Sequence, residues 1–468
     1  MILHTFRKET KELWRDGRVR IAFVIVLLLT AIAVFISTNH YENINAQYVE
    51  ASANEREVWD NQGEKNPHSA AHYGTYAFKP KYPLSLIDQG VDKYAGTSIF
   101  LEAHNRNEAQ FIAASDQTGL ARFGDLTPDF ILLFIIPLLL ILIAYNSITK
   151  EKERGTLTLL NSQGAVGWKI VFGKWLAIFF PVFIILFVLF LITGLILSNL
   201  PDFGVFSWSS LMTLFIAYII YYSIFINLVL IISATVKKSG IALVLSLSVW
   251  ILICLVLPKA ASNLAEYKYP YPTRQEFAEN IAKDRKLGLD GHNPWSAAAK
   301  KLEEETLKEY GVDSLSQLPF NYDAYRMQKG EEHEAEIYFK HYKLLKTQYS
   351  NQSSIYKILA IVSPYLPTRF LSMAIAKTDY NTHWDFSDAA ENYRIQTQKF
   401  LNDHFAKESK LGEWDFKADA GFWKQLPKFN YEPPSLLETM KTNSASIIIM
   451  LIWVFGSFTA LFFTTKSL

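Results

Sequence analysis

Residues 211–234 read LMTLFIAYIIYYSIFINLVLIISA, and this stretch contains no Asp, Glu, Lys, Arg or His. A hydrocarbon core of about 30 Å is crossed by a helix of about 20 apolar residues, because each residue advances the helix by about 1.5 Å. The stretch is long enough for that crossing and carries no charge that would be costly in lipid. It therefore predicts a transmembrane helix.

Five further runs are free of charge and long enough, or nearly so, to cross a bilayer, and they occupy residues 21–38, 130–147, 175–198, 241–258 and 446–464. Six such helices are not expected in the core of a soluble protein. Basic residues precede the first run, as in a signal peptide, but its apolar part is longer than a signal core and its cleavage pattern is poor. The sequence predicts an all-α polytopic membrane protein with six transmembrane helices, the first of them uncleaved.

Lysine and arginine are distributed unevenly over the short connections. Residues 1–20 contain six, residues 148–174 five, residues 235–240 two and residues 465–468 one, whereas the connection 199–210 contains none. In multi-pass proteins the cytoplasmic loops carry the excess of basic residues. The pattern predicts cytoplasmic N- and C-termini and two long segments outside.

The remaining segments are polar enough to leave the membrane. Residues 1–20 are basic and aromatic, which predicts an interfacial helix on the inner leaflet. Residues 39–129 are rich in Gly, Pro, Tyr and His and predict a first extracytoplasmic segment, an ordered loop with short helices. Residues 259–445 combine dense charge with helical periodicity and predict a large helical extracytoplasmic domain. Within it, residues 355–376 are apolar, but prolines and Arg369 interrupt them, which favours an interfacial or domain-core element over a seventh span.

Composition excludes several classes of function. The net charge of +1 argues against a nucleic-acid binder, and the single cysteine, Cys254, can form neither a disulfide within the chain nor a cysteine-based metal site. The sequence contains no Walker A loop, no H-E-x-x-H and no G-x-S-x-G, so it lacks the phosphate-binding loop of an ATPase and no spacing selects a catalytic set. We predict a chain that is not itself an enzyme and has no cofactor of its own.

The polar groups deep in the spans are hydroxyls and an amide, among them Tyr221, Tyr222 and Asn227. Ion-coupled transporters usually keep an ionisable residue at membrane depth, so this pattern argues against one. Two interpretations of the three residues stay open. Either they hold neighbouring helices together through hydrogen bonds, or they line a path for an amphipathic substrate.

Three histidines of the first outer segment, His68, His72 and His104, with His40 nearby, raise the question of a copper or zinc site. Among them, only His68 and His72 have a close ligand-like spacing. Histidines scattered in this way are more often solvated surface residues, so the sequence predicts no metal site.

The connection 148–174 contains the stretch KEKERGTLTLL at residues 150–160. Its charges are of both signs, whereas a topology signal needs only Lys and Arg. Gly155 can end the helix that leaves the second span, and Leu157, Leu159 and Leu160 then offer apolar side chains that a bare loop does not need. Mixed charge beside a small apolar surface predicts a docking surface for a protein partner. The alternative is a solvated loop with snorkelling lysines.

This connection resembles the loop between the second and third spans of type-two ATP-binding cassette (ABC) exporter permeases. The resemblance is carried by a charged stretch that ends in Gly-Thr-Leu and by a later run, WKIVFGK, at residues 168–174. Residues 70–107 and 370–394 resemble a subgroup of these permeases with enlarged outer segments, which is loosely associated with the maturation of multi-copper enzymes.

The resemblance implies a permease subunit that is driven by a separate ABC ATPase subunit. That subunit would bind ATP and Mg²⁺ and would dock on the connection. The residues expected to couple the two subunits are Lys150, Glu151, Lys152, Glu153, Arg154, Gly155, Thr156, Leu157 and Leu160. A second permease copy or a paralogous permease would complete the pathway in the lipid bilayer, and the location that the resemblance implies is a bacterial cytoplasmic (inner) membrane.

The function predicted is therefore that of an ABC permease, of the exporter or mechanical-work type, acting on an envelope substrate. The main alternative is a membrane-anchored scaffold or signalling protein that binds an envelope protein through its outer helical domain. A channel or ion-coupled carrier is disfavoured by the charge-free spans. An extracytoplasmic enzyme is disfavoured because no catalytic set is evident.

Overall fold

The structure is a computed structural model that describes residues 1–110, 126–200 and 206–466. Parts of the predicted first outer segment and of the connection 199–210 lie outside the described residues. The last two residues of the predicted cytoplasmic C-terminus lie outside them as well.

Helices make up most of the described chain. The elements of the first half are α1 (Ile2–Arg15), α2 (Arg18–Asp60), α3 (Pro67–Tyr73), β1 (Thr75–Phe78), α4 (Asp92–Ala95), β2 (Ser98–Glu102), β3 (Asn105–Arg106), α5 (Pro128–Phe130), a π-helical turn (Ile131–Ile135), α6 (Ile136–Ala144), α7 (Thr149–Glu153), α8 (Thr156–Ser162), α9 (Gly167–Leu197) and α10 (Trp208–Thr235). Those of the second half are α11 (Ser239–Ile251), a second π-helical turn (Leu252–Val256), α12 (Leu257–Lys268), α13 (Arg274–Lys286), α14 (Ala297–Tyr310), α15 (Tyr322–Ala360), α16 (Tyr365–Ile375), α17 (Tyr380–Glu408), α18 (Leu436–Thr442) and α19 (Ser444–Lys466). Short 3₁₀ turns occupy Pro83–Leu86, Leu315–Gln317 and Trp423–Gln425.

Six helical stretches of the described residues are long and apolar enough to cross a membrane, and each contains or overlaps one of the predicted spans. They are Arg18–Asp60, Pro128–Glu153, Gly167–Leu197, Trp208–Thr235, Ser239–Lys268 and Ser444–Lys466. The predicted all-α polytopic membrane fold is thus confirmed, and the chain is a multi-pass membrane protein. The helices extend beyond the apolar runs because many of the polar residues at their ends also favour helix.

Helix α10 lies at the centre of the bundle. It packs against α6, α9, α11, α16 and α19, and its Tyr218, Ile224 and Leu230 side chains have no exposed surface. The surrounding helices bury a smaller share of their apolar stretches. This distribution is expected of a bundle whose outer helices face lipid on one side.

The short connection 148–174 and helix α1 lie at one end of the bundle. Helix α1 packs along α9, and α7 contacts the start of α11. Near the end of α19, the ring of Phe462 lies 5.8 Å from that of Trp168 at the start of α9. The segment predicted as an interfacial helix forms α1, at the same end as the connection 148–174 and the C-terminal end of α19; its position at a membrane interface stays a prediction.

The two long segments fold together at the opposite end of the bundle, and we call residues 39–110 and 259–435 the extramembrane domain. Helix α17 of the second segment packs on α3 and β2 of the first. Trp59 at the end of α2 donates its indole N–H to the Trp423 carbonyl over 3.0 Å. The two segments, predicted as separate regions, therefore share one folded unit.

The first segment differs from the predicted loop with short helices. The first membrane helix continues without interruption to Asp60, because residues 42–60, ENINAQYVEASANEREVWD, contain no glycine or proline and include several Ala and Glu. Beyond α3, the three strands form an antiparallel sheet in the order β1-β2-β3. Such short strands have too few residues for their alternation to stand out in sequence.

The apolar stretch 355–376 is divided between the end of α15 and α16. Pro364 precedes α16, which packs against α10 and α19. The Ser372 hydroxyl lies 2.9 Å from the Tyr218 hydroxyl, and Leu371 belongs to the core of the bundle. The stretch therefore ends one helix of the extramembrane domain and forms a short second helix, α16, which covers the end of the bundle.

An ion-pair cluster joins α16 to the first segment and to the second membrane helix. Arg369 donates to Asp88 over 2.8 Å and to Asp129 over 2.7 Å. Asp88 has no exposed surface. Since two acids share one guanidinium, removal of Arg369 would leave both carboxylates without their shared positive partner.

We expect Arg369→Met to lower the free energy of unfolding by about 3 kcal/mol or more, because it leaves buried carboxylates without their partner. Denaturant titration in detergent measures this change. The matched control is Lys399→Met, which removes an exposed ion pair with Asp403 and should cost less than about 1 kcal/mol. Equal effects of the two substitutions would contradict this role of Arg369.

Candidate functional site

The connection 148–174 forms two short helices. Helix α7 carries most of the charged residues and is followed by Gly155, whose φ of 69° lies in the left-handed region that glycine adopts without strain. Helix α8 carries the leucines and ends before Gly164, whose φ is 77°. The two glycines therefore set the ends of the two helices.

A buried ion-pair cluster holds α7 against α1 and α9, and we call Lys174, Glu9 and Glu151 the Lys174 cluster. The Lys174 ammonium donates to Glu9 over 2.7 Å and to Glu151 over 2.9 Å, and Lys174 is only 3% exposed. Lys8 lies 3.6 Å from Glu151 and adds a second positive charge. Two carboxylates are thus compensated by two ammonium groups, which such a buried cluster requires.

The other side of α7 is bound to the ends of α10 and α11. Glu153 accepts hydrogen bonds from the Ser239 backbone N–H over 2.7 Å and from its hydroxyl over 2.8 Å, and the backbone bond lowers the pKa of Glu153. Lys152 donates to the carbonyls of Ala234 and Val236. An acid at a helix start and a lysine at a helix end both complement the helix dipoles. Helix α7 is therefore linked to four helices, α1, α9, α10 and α11, at one end of the bundle.

Part of the connection is exposed to solvent, at a cleft that Arg154, Thr156 and Leu159 line together with Glu9, Glu151 and Lys174. Leu159 exposes 58% of its surface, and Arg154, Thr156 and Thr158 are exposed near it. Leu157 is buried below. An exposed leucine with an arginine nearby has the composition of a small protein-binding surface, which we call the α8 surface (Arg154, Thr156, Thr158 and Leu159).

The structure divides the predicted coupling residues into two groups. The exposed ones are Glu153, Arg154, Gly155 and Thr156, and the buried or half-buried ones are Lys150, Glu151, Lys152, Leu157 and Leu160. The first group is accessible to a partner, and most of the second anchors the connection. Sequence reasoning did not identify Glu9 or Ser239 as anchors. An acid inside a basic segment was a signal for Glu9, whereas a serine at a helix start is too common to be one.

Two predicted pathway residues, Tyr221 and Tyr222, have no exposed surface. Their hydroxyls donate to the carbonyls of Leu133 and Leu132 over 3.0 and 2.8 Å. Both carbonyls belong to the π-helical turn Ile131–Ile135, and such a turn alters the regular backbone ladder and leaves carbonyls available to side-chain donors.

The third residue, Asn227, is also fully buried and donates to the Ser457 hydroxyl oxygen on α19 over 2.9 Å. All three side chains therefore form hydrogen bonds between helices in this structure. Their role in lining a substrate path stays a prediction.

Residues 274–432 match the family described as Domain of unknown function (DUF3526). The match begins at α13 and ends before α18, so it lies within the extramembrane domain and covers less than half of the chain. No curated protein matches the sequence significantly. Fold and site together define a multi-pass membrane protein with an anchored helical connection at one end and a DUF3526 region at the other.

We expect Lys174→Met to lower the free energy of unfolding by about 3 kcal/mol, because Glu9 and Glu151 lose their shared ammonium. Denaturant titration in detergent measures the loss, and Lys169→Met on the same helix should stay within about 0.5 kcal/mol. Adding Glu9→Gln and Glu151→Gln to Lys174→Met should recover part of the lost free energy of unfolding. If the triple variant is less stable than Lys174→Met alone, unpaired charge is not the cause.

Proposed function

We propose that this chain is the permease subunit of an ABC transporter and couples ATP hydrolysis by a separate ATPase subunit to the movement of an envelope substrate. The observation that carries the proposal is the connection 148–174. It is bound to α1 and α9 through the Lys174 cluster and to the ends of α10 and α11, and it exposes Leu159 to solvent. A partner that pushes on the α8 surface would act on four helices at once.

The lack of a phosphate-binding loop is consistent with this division of labour. ATP and Mg²⁺ would be bound by the ATPase subunit, and this chain would supply its docking surface. A second permease copy or a paralogue would provide the other half of the pathway. Exporter activity and mechanical work on an envelope molecule both use the same coupling surface.

The proposed orientation places both termini and the connection 148–174 in the cytoplasm of a bacterium and the extramembrane domain outside. Its support is the distribution of basic residues, which are concentrated in α1 and in the short connections at one end of the bundle.

The docking proposal is tested by Leu159→Glu and Arg154→Glu. Each should lower recovery of the ATPase subunit with the purified native complex by about tenfold, because an interface anchor contributes roughly 1–3 kcal/mol. ATP turnover of the complex should fall with it. Leu287→Glu is the matched control, since Leu287 is 80% exposed and lies in the extramembrane domain.

Two outcomes would refute the docking proposal. One is an unchanged ATP turnover and subunit yield in Leu159→Glu while the variant inserts normally. The other is that no ATPase is recovered with the wild-type chain and none is captured by crosslinking from a Glu153→Cys variant.

Orientation is tested in a Cys254→Ser background, which removes the single cysteine. A membrane-impermeant maleimide should label Lys301→Cys on α14 in intact cells. It should label Ser162→Cys at the end of α8 only after permeabilisation. Both positions are exposed, so the reverse pattern would show the opposite orientation.

A membrane-anchored scaffold is the second candidate. The extramembrane domain favours it, because Leu287 and Trp295 are each 80% exposed there and could contact an envelope protein. The two functions differ in one readout. A scaffold would retain its envelope partner in the Leu159→Glu variant and would purify without an ATPase.

A further inference from the structure

Four histidines from three separate parts of the extramembrane domain meet at one place, which we call the histidine cluster (His68, His72, His104 and His292). The Nε2 atoms of His68 and His72 are 3.2 Å apart, and those of His104 and His292 are 2.7 Å apart. All four rings lie within 6.4 Å of one another, measured between centroids. The cluster thus directs imidazole nitrogens toward one another.

Helix α3 presents the first two histidines on one face, because they are four residues apart. Its start is fixed by Asn66, whose side-chain oxygen accepts from the His68 backbone N–H over 2.8 Å. Asn66 also donates to the carbonyls of Trp414 and Phe416 over 3.0 and 3.1 Å. The helix is therefore held in place by the second long segment.

His104 lies in the two-residue turn between β2 and β3 with a φ of 67°, a conformation that costs energy in residues other than glycine. The structure compensates for this cost locally. The His104 backbone N–H donates to Glu331 over 2.9 Å, and the Ala103 N–H donates to the Ala71 carbonyl of α3 over 3.0 Å. The turn is thus held so that the imidazole faces α3.

His292 comes from the loop before α14, which approaches the backbone of α15 very closely. A Cβ added at Gly291 would lie 2.9 Å from the Met327 Cα, and one added at Gly330 would lie 2.6 Å from the Gly291 Cα. The two glycines are therefore required for this approach. It places the His292 imidazole against that of His104, 188 residues away in sequence.

We propose that His68, His72 and His292, with His104 as a fourth ligand, bind a divalent transition-metal ion of the Zn²⁺ and Cu²⁺ class. The ligand nitrogens of the first three already lie within 4.8 Å of one another. Tetrahedral zinc with Zn–N bonds of about 2.0–2.1 Å needs nitrogens about 3.3 Å apart, so the 3.2 Å pair fits and the 2.7 Å pair must open by roughly half an ångström. A set of imidazoles suits these ions and not Ca²⁺ or Mg²⁺, which prefer oxygen ligands.

The second coordination shell is also present. His104 directs its Nδ1 at Glu331 Oε1 over 2.6 Å and at Glu334 Oε2 over 3.4 Å. Glu331 is held in turn by Arg394 over 3.0 Å. A carboxylate on Nδ1 leaves Nε2 as the metal-binding atom and fixes the ring orientation, as in many zinc sites.

The protonation of the other three rings is compatible with binding. Burial and the neighbouring imidazoles lower the pKa of His68 to about 3, and burial with nearby charges lowers the pKa values of His72 and His292. For His104, burial is outweighed by the bonds to Glu331 and Glu334, which raise its pKa to about 9.

The histidine cluster does not depend on the proposed transport function. The sequence-based expectation of no metal site rested on histidine spacing in the first segment, and spacing contains no information about His292. Of the histidines considered there, His40 lies elsewhere, at a cleft that Lys79 and Lys81 also line.

The test uses the full chain in detergent, stripped with a chelator and titrated with Zn²⁺, Cu²⁺, Ca²⁺ or Mg²⁺ in separate experiments. Zn²⁺ and Cu²⁺ should each bind with one ion per chain and raise the melting temperature, whereas Ca²⁺ and Mg²⁺ should do neither. His68→Ala and His292→Ala should each weaken Zn²⁺ affinity by about 100-fold or more, since loss even of a second-shell partner costs about 10–100-fold. His4→Ala, at an exposed histidine of α1, is the matched control.

X-ray absorption of the zinc-loaded wild type should show at least three imidazole nitrogens at about 2.0 Å. This readout keeps the test decisive if a variant fails to fold. The proposal is overturned if the wild type binds no Zn²⁺ stoichiometrically, or if His292→Ala binds as the wild type does. Either result would leave a hydrogen-bonded histidine cluster only.

Discussion

The structure depends on the lack of water in the bilayer, which requires every backbone polar group to be paired inside a helix and keeps ionised side chains at the helix ends. The ionised side chains at the two ends of the bundle form ion pairs that join neighbouring elements. At one end, the Lys174 cluster joins α1, α7 and α9. At the other, Arg369 joins α16 to Asp88 and Asp129. Each end of the bundle thus has a buried ion cluster that sets how its peripheral elements meet the membrane helices.

Hydropathy made the spans predictable because lipid selects for uninterrupted apolar runs. The fourth span, predicted at 211–234, is the helix Trp208–Thr235. Gly155 likewise predicted where α7 ends. The contacts that could not be predicted join residues far apart in the sequence. Nothing near Lys174 indicates that Glu9 is its partner, and nothing near His104 indicates that His292 faces it, because these pairs are made by packing and not by local pattern.

The two sites differ in how they are exposed. On the α8 surface, anchors are buried and a small apolar patch is open, an arrangement suited to a protein partner. In the histidine cluster, the buried acids Glu331 and Glu334 orient the His104 ring toward three other imidazoles, an arrangement suited to a small ion. Only the second site lies in the extramembrane domain, with His292 inside the part of the chain that matches DUF3526.

Helix α2 has 43 residues and begins just after Gly17, next to α1. At about 1.5 Å per residue it is roughly 65 Å long, so a tilt of about 5° at its start displaces its far end by roughly 6 Å. That end is Asp60, and α3 with His68 and His72 follows a few residues later. The bond from Trp59 to the Trp423 carbonyl already fixes this end, and a metal ion shared with His292 would add a second link, between α3 and the loop that packs on α15.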